Sequence, residues 1–256
     1  MSFIDNIISF GSNVLNFFGN NSIGSQLAKT ALLGYGLNQI TKSINRDNEQ
    51  STQGTPAGTR IQFRPDTENK IPVVYGNAFL SGMVVDAVLT NSNQTMFYCL
   101  ALCERTGVKQ SDSQQSVITV KDVYWNDERI QFKTDGITVD FTVDRTGIQN
   151  PNPSGLVKIY LYNNGSTGPI VPEAYTNASL SPAYSIMPNW TSNHAMSQLV
   201  FAIIRIDYNK EKNITGLPKI DFHLSNTMTL PGDCMYDLMT NPRYGAGIDS
   251  SEISIS

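Results

Sequence analysis

The sequence predicts an all-β sandwich or barrel that carries a short helical arm at its N-terminus and a short helix near its C-terminus. Three observations point there. From residue 59 onward, short apolar or alternating runs recur at close intervals, punctuated by Gly, Asn and Pro, which is the rhythm of an all-β domain. One of them sets Ile137, Val139, Phe141 and Val143 against Thr138, Asp140 and Thr142, the alternation of a half-buried strand. Residues 1–45 differ: Ile4, Ile7, Ile8, Val14, Leu15 and Phe18 fall close to one face of a helical period.

In chain order, the arm has a break at the glycines and asparagines between Gly19 and Gly24. A second helical pattern follows through Leu27, Ala31, Leu32, Tyr35, Ile40 and Ile44. Gly34 and Gly36 weaken it by about 1 kcal/mol each. Leaving Ile4, Ile8, Leu15 and Phe18 in water forgoes about 1.5–3 kcal/mol per side chain, so these four are the expected docking residues of an arm that lies on a partner. A frayed arm and an interfacial membrane helix are the other readings. The membrane helix expects Lys and Arg where this arm has Asn and Ser.

Residues 46–58 are polar, turn-prone and without periodicity, a linker. The β domain occupies 59–256, with strands expected near residues 71–75, 83–89, 96–103, 137–143, 156–162, 199–208 and 219–224. The run at 96–103 is apolar on both faces, as in a central strand covered on both sides. Around 163–195 a long insertion rich in Pro, Asn, Ser and Thr shows no strand pattern; it serves a contact or is a solvated loop. Pro231-Gly232-Asp233 opens a short helix with Met235, Leu238 and Met239 as its apolar face, and Asn241-Pro242 closes it.

Composition limits the function. Only 16% of the residues are charged and the formal net charge is −4, without a Lys/Arg cluster, which argues against a nucleic-acid reader. No run is long and apolar enough to span a bilayer, so stable membrane insertion is not expected. No basic region precedes Phe3 and Ile4, and Asp5 follows at once, which reads as a protein made and kept in the cytoplasm until it is assembled. Three cysteines, of which Cys99 and Cys103 lie four apart on a strand, cannot form a complete disulfide set and are expected as buried thiols.

Catalytic chemistry has little to work with. There are two histidines, His194 and His223, and neither has a metal-ligand spacing to Cys or Glu. Phosphate-cradling glycine loops and a nucleophile elbow are missing. Asp122, Asp127 and Glu128 are clustered acids of the kind that could cleave glycosides, but an acidic turn is the commoner arrangement. The expectation is a protein with no catalytic residues, no metal and no cofactor.

Three stretches carry a family resemblance. The first is Ile71-Pro72-Val73-Val74-Tyr75-Gly76, followed by Gly82. The second is Trp190-Thr191-Ser192-Asn193-His194, then a strand through Arg205 and the turn Gly216-Leu217-Pro218-Lys219-Ile220. The third and most specific is Tyr236-Asp237-Leu238-Met239-Thr240-Asn241-Pro242-Arg243-Tyr244-Gly245-Ala246-Gly247. Together they resemble the hub, or tip-attachment, proteins of long-tailed, lambda-like phages over roughly residues 70–248.

The resemblance implies a tail-tube-like hub domain that assembles as a homotrimer. It also implies that the chain closes the tail tube at the virion's tail tip or baseplate. Its partners would be tail-tube or distal tail proteins and other tip or fibre proteins, in a structure concerned with host attachment and DNA ejection. Tyr75, Gly76, Trp190, Pro242, Arg243, Tyr244, Gly245 and Gly247 are the family-motif positions, expected to hold structure rather than to recognise a ligand. Family members usually extend well beyond the third motif, so the chain reads as a fragment or a minimal version. Two alternatives stand beside the hub: a tail-associated carbohydrate-binding or cell-wall-degrading module, and a tail-tube or terminator protein with six-fold rings.

Overall fold

The structure is a computed structural model and describes residues 70–176 and 180–253. The arm, with Ile4, Ile8, Leu15 and Phe18, and the linker lie outside the described residues.

Among the described residues, eleven strands and one α-helix form two antiparallel sheets and a C-terminal corner. The strands are β1 (Asn77–Leu80), β2 (Met83–Thr90), β3 (Thr95–Glu104), β4 (Ile118–Trp125), β5 (Glu128–Phe132), β6 (Val139–Val143), β7 (Gln149–Asn150), β8 (Val157–Tyr162), β9 (Pro169–Ile170), β10 (Leu199–Asp207) and β11 (Ile220–Asn226); the helix is α1 (Pro231–Thr240). One sheet runs β2-β3-β10-β8-β9 and the other β1-β11-β4-β5-β6-β7. They meet at one side, where Thr138 bridges to Lys158 and the Ile159 amide donates to the Ile137 carbonyl (2.9 Å).

The main core lies between the sheets. Alternate residues of β3, β8 and β10 (Leu100, Leu102, Ile159, Ala202, Ile204 among them) pack on Val120, Val123, Phe222 and Leu224 of β4 and β11. In the middle of the five-stranded sheet the other set of alternate residues is buried too. Cys99, Tyr162, Phe201 and Ile203 form a second core with Ala183 and Met187, which belong to the stretch around a short 3-10 turn at Ala183–Ser185. The insertion at 163–195 thus supplies a lid of chain over the sheet, and that lid explains why β3 and β10 are apolar on both faces.

The strand expected at 71–75 is an extended strap, held to β3 only by the parallel bridge Val73–Glu104. Sequence periodicity did not reveal β1, β4 or β5. β4 and β5 form a hairpin whose turn residues Asn126 and Asp127 both have positive φ (52° and 67°), the geometry of the tight turn that matches strand twist. The acids at 127–128 are thus a turn residue and the first residue of a strand. Cys99 and Cys103 are buried free thiols as expected, whereas Cys234 is only partly buried. Desolvation pushes the Cys103 thiol up to about 12, with the Glu104 charge adding to it.

Candidate functional site

The residues around α1 converge on a buried carboxylate. Leu230 precedes the helix in extended conformation and Pro231 starts it, where a missing N–H costs nothing. Asp233 and Asp237, one turn apart, are both buried, while Met235 and Leu238 are exposed. The expected apolar inner face is therefore reversed. The reason lies in what α1 packs on: the hairpin at 105–117, closed by the Val108–Gln115 bridge, turns N–H and O–H donors toward the helix. The Ser111 amide and hydroxyl donate to Asp233 (2.8 and 2.6 Å). The Gly107 amide donates to Asp237 Oδ1 (2.9 Å).

Two motif tyrosines complete the shell of Asp237. Tyr75 Oη donates to Oδ2 at 2.7 Å and Tyr244 Oη to the same oxygen at 2.5 Å. Burial, reinforced by this hydrogen bond and the carboxylate charge, raises both phenols well above the ordinary tyrosine range. They stay neutral donors at any physiological pH. Asp233 is held below the usual carboxylate range, first by the Ser111 hydroxyl. Gly107 is needed beside Asp237, because a Cβ there would stand 2.7 Å from Oδ1.

The rest of the third motif closes the helix. Pro242 forces Asn241 into an extended conformation, and the Asn241 side chain accepts from the Arg243 amide (2.9 Å). The chain then doubles back, so that the amides of Asn241, Ala246 and Ile248 take the carbonyls of Asp237, Leu238 and Met239, each at 2.9 Å. These are carbonyls that a helix end otherwise leaves without a partner. Gly245 is required by that close return: a Cβ would lie inside the contact distance of the Leu238 carbonyl oxygen. Gly247 is required for a different reason, its φ of +66°. Arg243 does not cap the helix; its Nε pairs with the buried Glu104 carboxylate at 2.7 Å.

Gly76 (φ +68°) turns the strap into β1, donating to the Met228 carbonyl (3.0 Å) and accepting from the Asn226 amide (2.7 Å). Asn226 itself is buried and ties the pieces together: its Nδ2 donates to the Val74 carbonyl (2.6 Å) and the Thr106 hydroxyl (2.8 Å).

Trp190 sits elsewhere, in the stretch over the five-stranded sheet. Its indole N–H donates to Asp86 of β2 (2.7 Å), and its ring stacks on His194 (5.4 Å between centroids). Ile71 packs on the same second core. The strap at 71–76 therefore joins all three motifs: Ile71 meets the cluster that holds Trp190, and Tyr75 meets Asp237 and Tyr244. Glu104, Asp237 and Asn226 were not singled out from sequence. A signal for Asp237 existed, since two acids on one helix stripe without a basic partner imply donors from elsewhere.

The clustered acids do not converge. Asp122 lies 3.6 Å from His223 and 3.7 Å from Arg129, Asp127 pairs with Lys219, and Glu128 accepts from Thr142. Among the described residues no group of three or more His, Cys, Asp or Glu could hold a metal, and no helix is long and apolar enough to cross a membrane.

No known family pattern and no curated protein matches the sequence. Among solved structures the chain is similar to one described as the virion of a native gene transfer agent particle. The likeness is at 13% identity and a TM-score of 0.35, over 77% of this chain and 37% of that one. The matched region is thus a little over a third of that chain's length, and a likeness of this degree carries no assignment of role.

Proposed function

We propose that this chain is a structural, non-catalytic component of a phage tail tip, a hub that closes the tail tube as a homotrimer and anchors host-contacting parts. The observation that carries the reading is the convergence just described. The three stretches that resemble the hub family lie far apart in sequence, yet the strap touches the other two, Ile71 packing on the cluster that also holds Trp190 and Tyr75 bonding to Asp237. The surface chemistry is consistent with this reading, being low in charge and rich in uncharged hydrogen-bonding groups suited to packing against neighbours.

Tail-tube or distal tail proteins and fibre proteins are the proposed neighbours, and no nucleic-acid recognition is assigned. The test is a class-averaged image of particles bearing the labelled chain, together with the mass of the purified full chain. Three copies at the tail tip are expected. Six-fold rings along the tube would transfer the chain to the tube or terminator reading, and turnover of peptidoglycan lost on Asp122→Asn would transfer it to the cell-wall-degrading one.

A further inference from the structure

On the outer face of the six-stranded sheet, side chains from four neighbouring strands stand together. In register, Phe79 of β1 pairs with His223 of β11 and His223 with Asp122 of β4; Tyr124 of β4 pairs with Arg129 of β5. The Phe79 ring stacks on His223 (4.3 Å between centroids, 12° between planes) and lies 5.8 Å from Tyr124. It is 62% exposed, and β1 is the outermost strand, so one face of the ring has no strand of this sheet beside it. The polar members are open as well. Asp122 Oδ1 lies 3.7 Å from Arg129 Nη1 and its Oδ2 3.6 Å from His223 Nδ1, both beyond hydrogen-bond reach. Other carboxylates of the same sheet are engaged: Asp221 accepts from the Ser81 hydroxyl (2.5 Å) and pairs with Lys219 (3.1 Å), and Glu128 accepts from Thr142.

A gap of that width between a carboxylate and a guanidinium is one that a single hydroxyl bridges, donating to the first and accepting from the second. The two charges sum to zero, so their complement is a neutral group rather than an ion. An apolar protein surface laid here would cut both charges off from water, which is costly. The chemistry that fits is a molecule with apolar C–H faces and many hydroxyls, a saccharide. Its C–H hydrogens carry partial positive charge and lie well on the negative face of an aromatic ring. Phe79 and Asp122 are two strand spacings apart, about 10 Å, farther than one pyranose ring spans. We propose that this face binds a neutral oligosaccharide, with one sugar stacked on Phe79 and another hydrogen-bonded between Asp122 and Arg129. The site goes beyond the hub reading, since it requires neither a trimer nor a tail tip, and it binds without cleaving.

The experiment is calorimetric titration of the purified full chain with glucose, N-acetylglucosamine and their tetramers cellotetraose and chitotetraose, to about 10 mM. At least one tetramer should bind with a Kd of about 1 mM or tighter, its monomer at least about tenfold more weakly, and the tetramer should be recovered uncut. Phe79→Leu keeps an apolar side chain but removes the ring, and should weaken binding at least about tenfold, equivalent to about 1.4 kcal/mol. Phe79→Trp should preserve it. Arg129→Met, on a half-exposed side chain, should weaken it as much, whereas Leu89→Ala, on the exposed edge of the other sheet, should bind like the parent. No saturable binding of either tetramer by the folded parent overturns the proposal. Binding that survives both Phe79→Leu and Arg129→Met lies elsewhere and overturns it too. A parent that binds no tetramer but self-associates in sedimentation, and loses this on Phe79→Leu, gives the face to a second copy. Cleaved tetramers would make the face an active site and the binding assignment wrong. The hub reading stands or falls separately, on particle imaging.

Discussion

On the five-stranded sheet the outward side chains Cys99, Tyr162, Phe201 and Ile203 are buried beneath a stretch of the chain's own loop. On the six-stranded sheet the outward Phe79, Tyr124 and His223 reach solvent, and Phe79 is 62% exposed. The strands record the difference. β10 reads Leu-Val-Phe-Ala-Ile-Ile and is buried residue after residue, whereas β11 reads Ile-Asp-Phe-His-Leu-Ser and is buried at every second one. Phe79 keeps its ring ordered by stacking on His223 (4.3 Å between centroids) rather than by a covering layer. Two sheets with one shared core thus differ in what lies on their far sides.

The sharpest test pairs a phenylalanine from each outer face. Phe201→Ala should cost about 3–5 kcal/mol, because it empties a fully buried site in the second core. Phe79→Ala should cost about 1 kcal/mol or less, since it removes one stacking contact from an exposed ring. Denaturant unfolding of both variants checks the contrast, and equal losses would mean that the six-stranded sheet is covered as well. Emission from Trp190, which leans on Phe201, should shift in the first variant before global unfolding.

The C-terminal corner should respond independently of that loop. Gly245→Ala is expected to lose about 2–3 kcal/mol, as the returning chain is forced away from the helix end. Gly247→Ala should lose about 1–2 kcal/mol for its left-handed backbone. Both should leave the Trp190 signal unchanged; a shift there would show the corner and the loop to be one cooperative unit. Arg243→Ala strips the partner from a buried carboxylate. A fully buried pair broken this way costs about 3–5 kcal/mol, but Arg243 is 45% exposed and water shares its charge, so about 1–2 kcal/mol is expected. Adding Glu104→Gln should recover part of it, and a double-mutant cycle measures how much.

Much of this contrast was visible in the sequence. The two-faced apolar run of β3 announced a covered strand, and Pro231 and Pro242 bounded α1, but the alternation at 137–143 misled: the register irregularity opposite Val139–Phe141 buries Thr138 and Thr142 and leaves Phe141 and Val143 half-buried. Hidden were features that depend on partners remote in sequence. The insertion around 163–195 has no period of its own, because it takes its shape from the sheet beneath. The inner face of α1 is acidic because hairpin amides and two tyrosines supply donors, which no helical periodicity encodes. The acidic turn expected around Asp127 is there, as the tip of the β4–β5 hairpin. Of the motif positions, Tyr75 and Tyr244 proved to share one acceptor, and Arg243 pairs with an acid, Glu104.

Acid supplies the gentlest probe. Asp135 holds the turn before β6 by accepting from the amides of Ile137 and Thr138 and from the Thr138 hydroxyl (2.9, 2.8 and 2.6 Å). Burial alone would raise its carboxyl, but those hydrogen bonds and Lys158 outweigh it and leave the value below 3.8. Asp233 is lowered likewise, first by the Ser111 hydroxyl. A depressed folded-state value means that the stabilisation is complete above the unfolded one, near 4, and is lost as the pH falls through the folded one. Stability should therefore be level at neutral pH and decline below about 4. Asp135→Asn and Asp233→Asn should each flatten the decline slightly.

The strap also has a mechanical meaning. Ile71 is lodged in the second core, Val73 is bridged to Glu104, Tyr75 is fastened to Asp237, and Gly76 is held between Met228 and Asn226. Ladder hydrogen bonds run across a strand, not along it. A pull applied at Lys70 along the strap therefore loads these attachments together in shear, and none can peel away before the next is strained. Force entering there is divided between the five-stranded sheet, through Ile71 and Glu104, and the helical corner, through Asp237. The same few residues that join the three motifs are thus the path by which tension on the N-terminal side would be spread through the β domain.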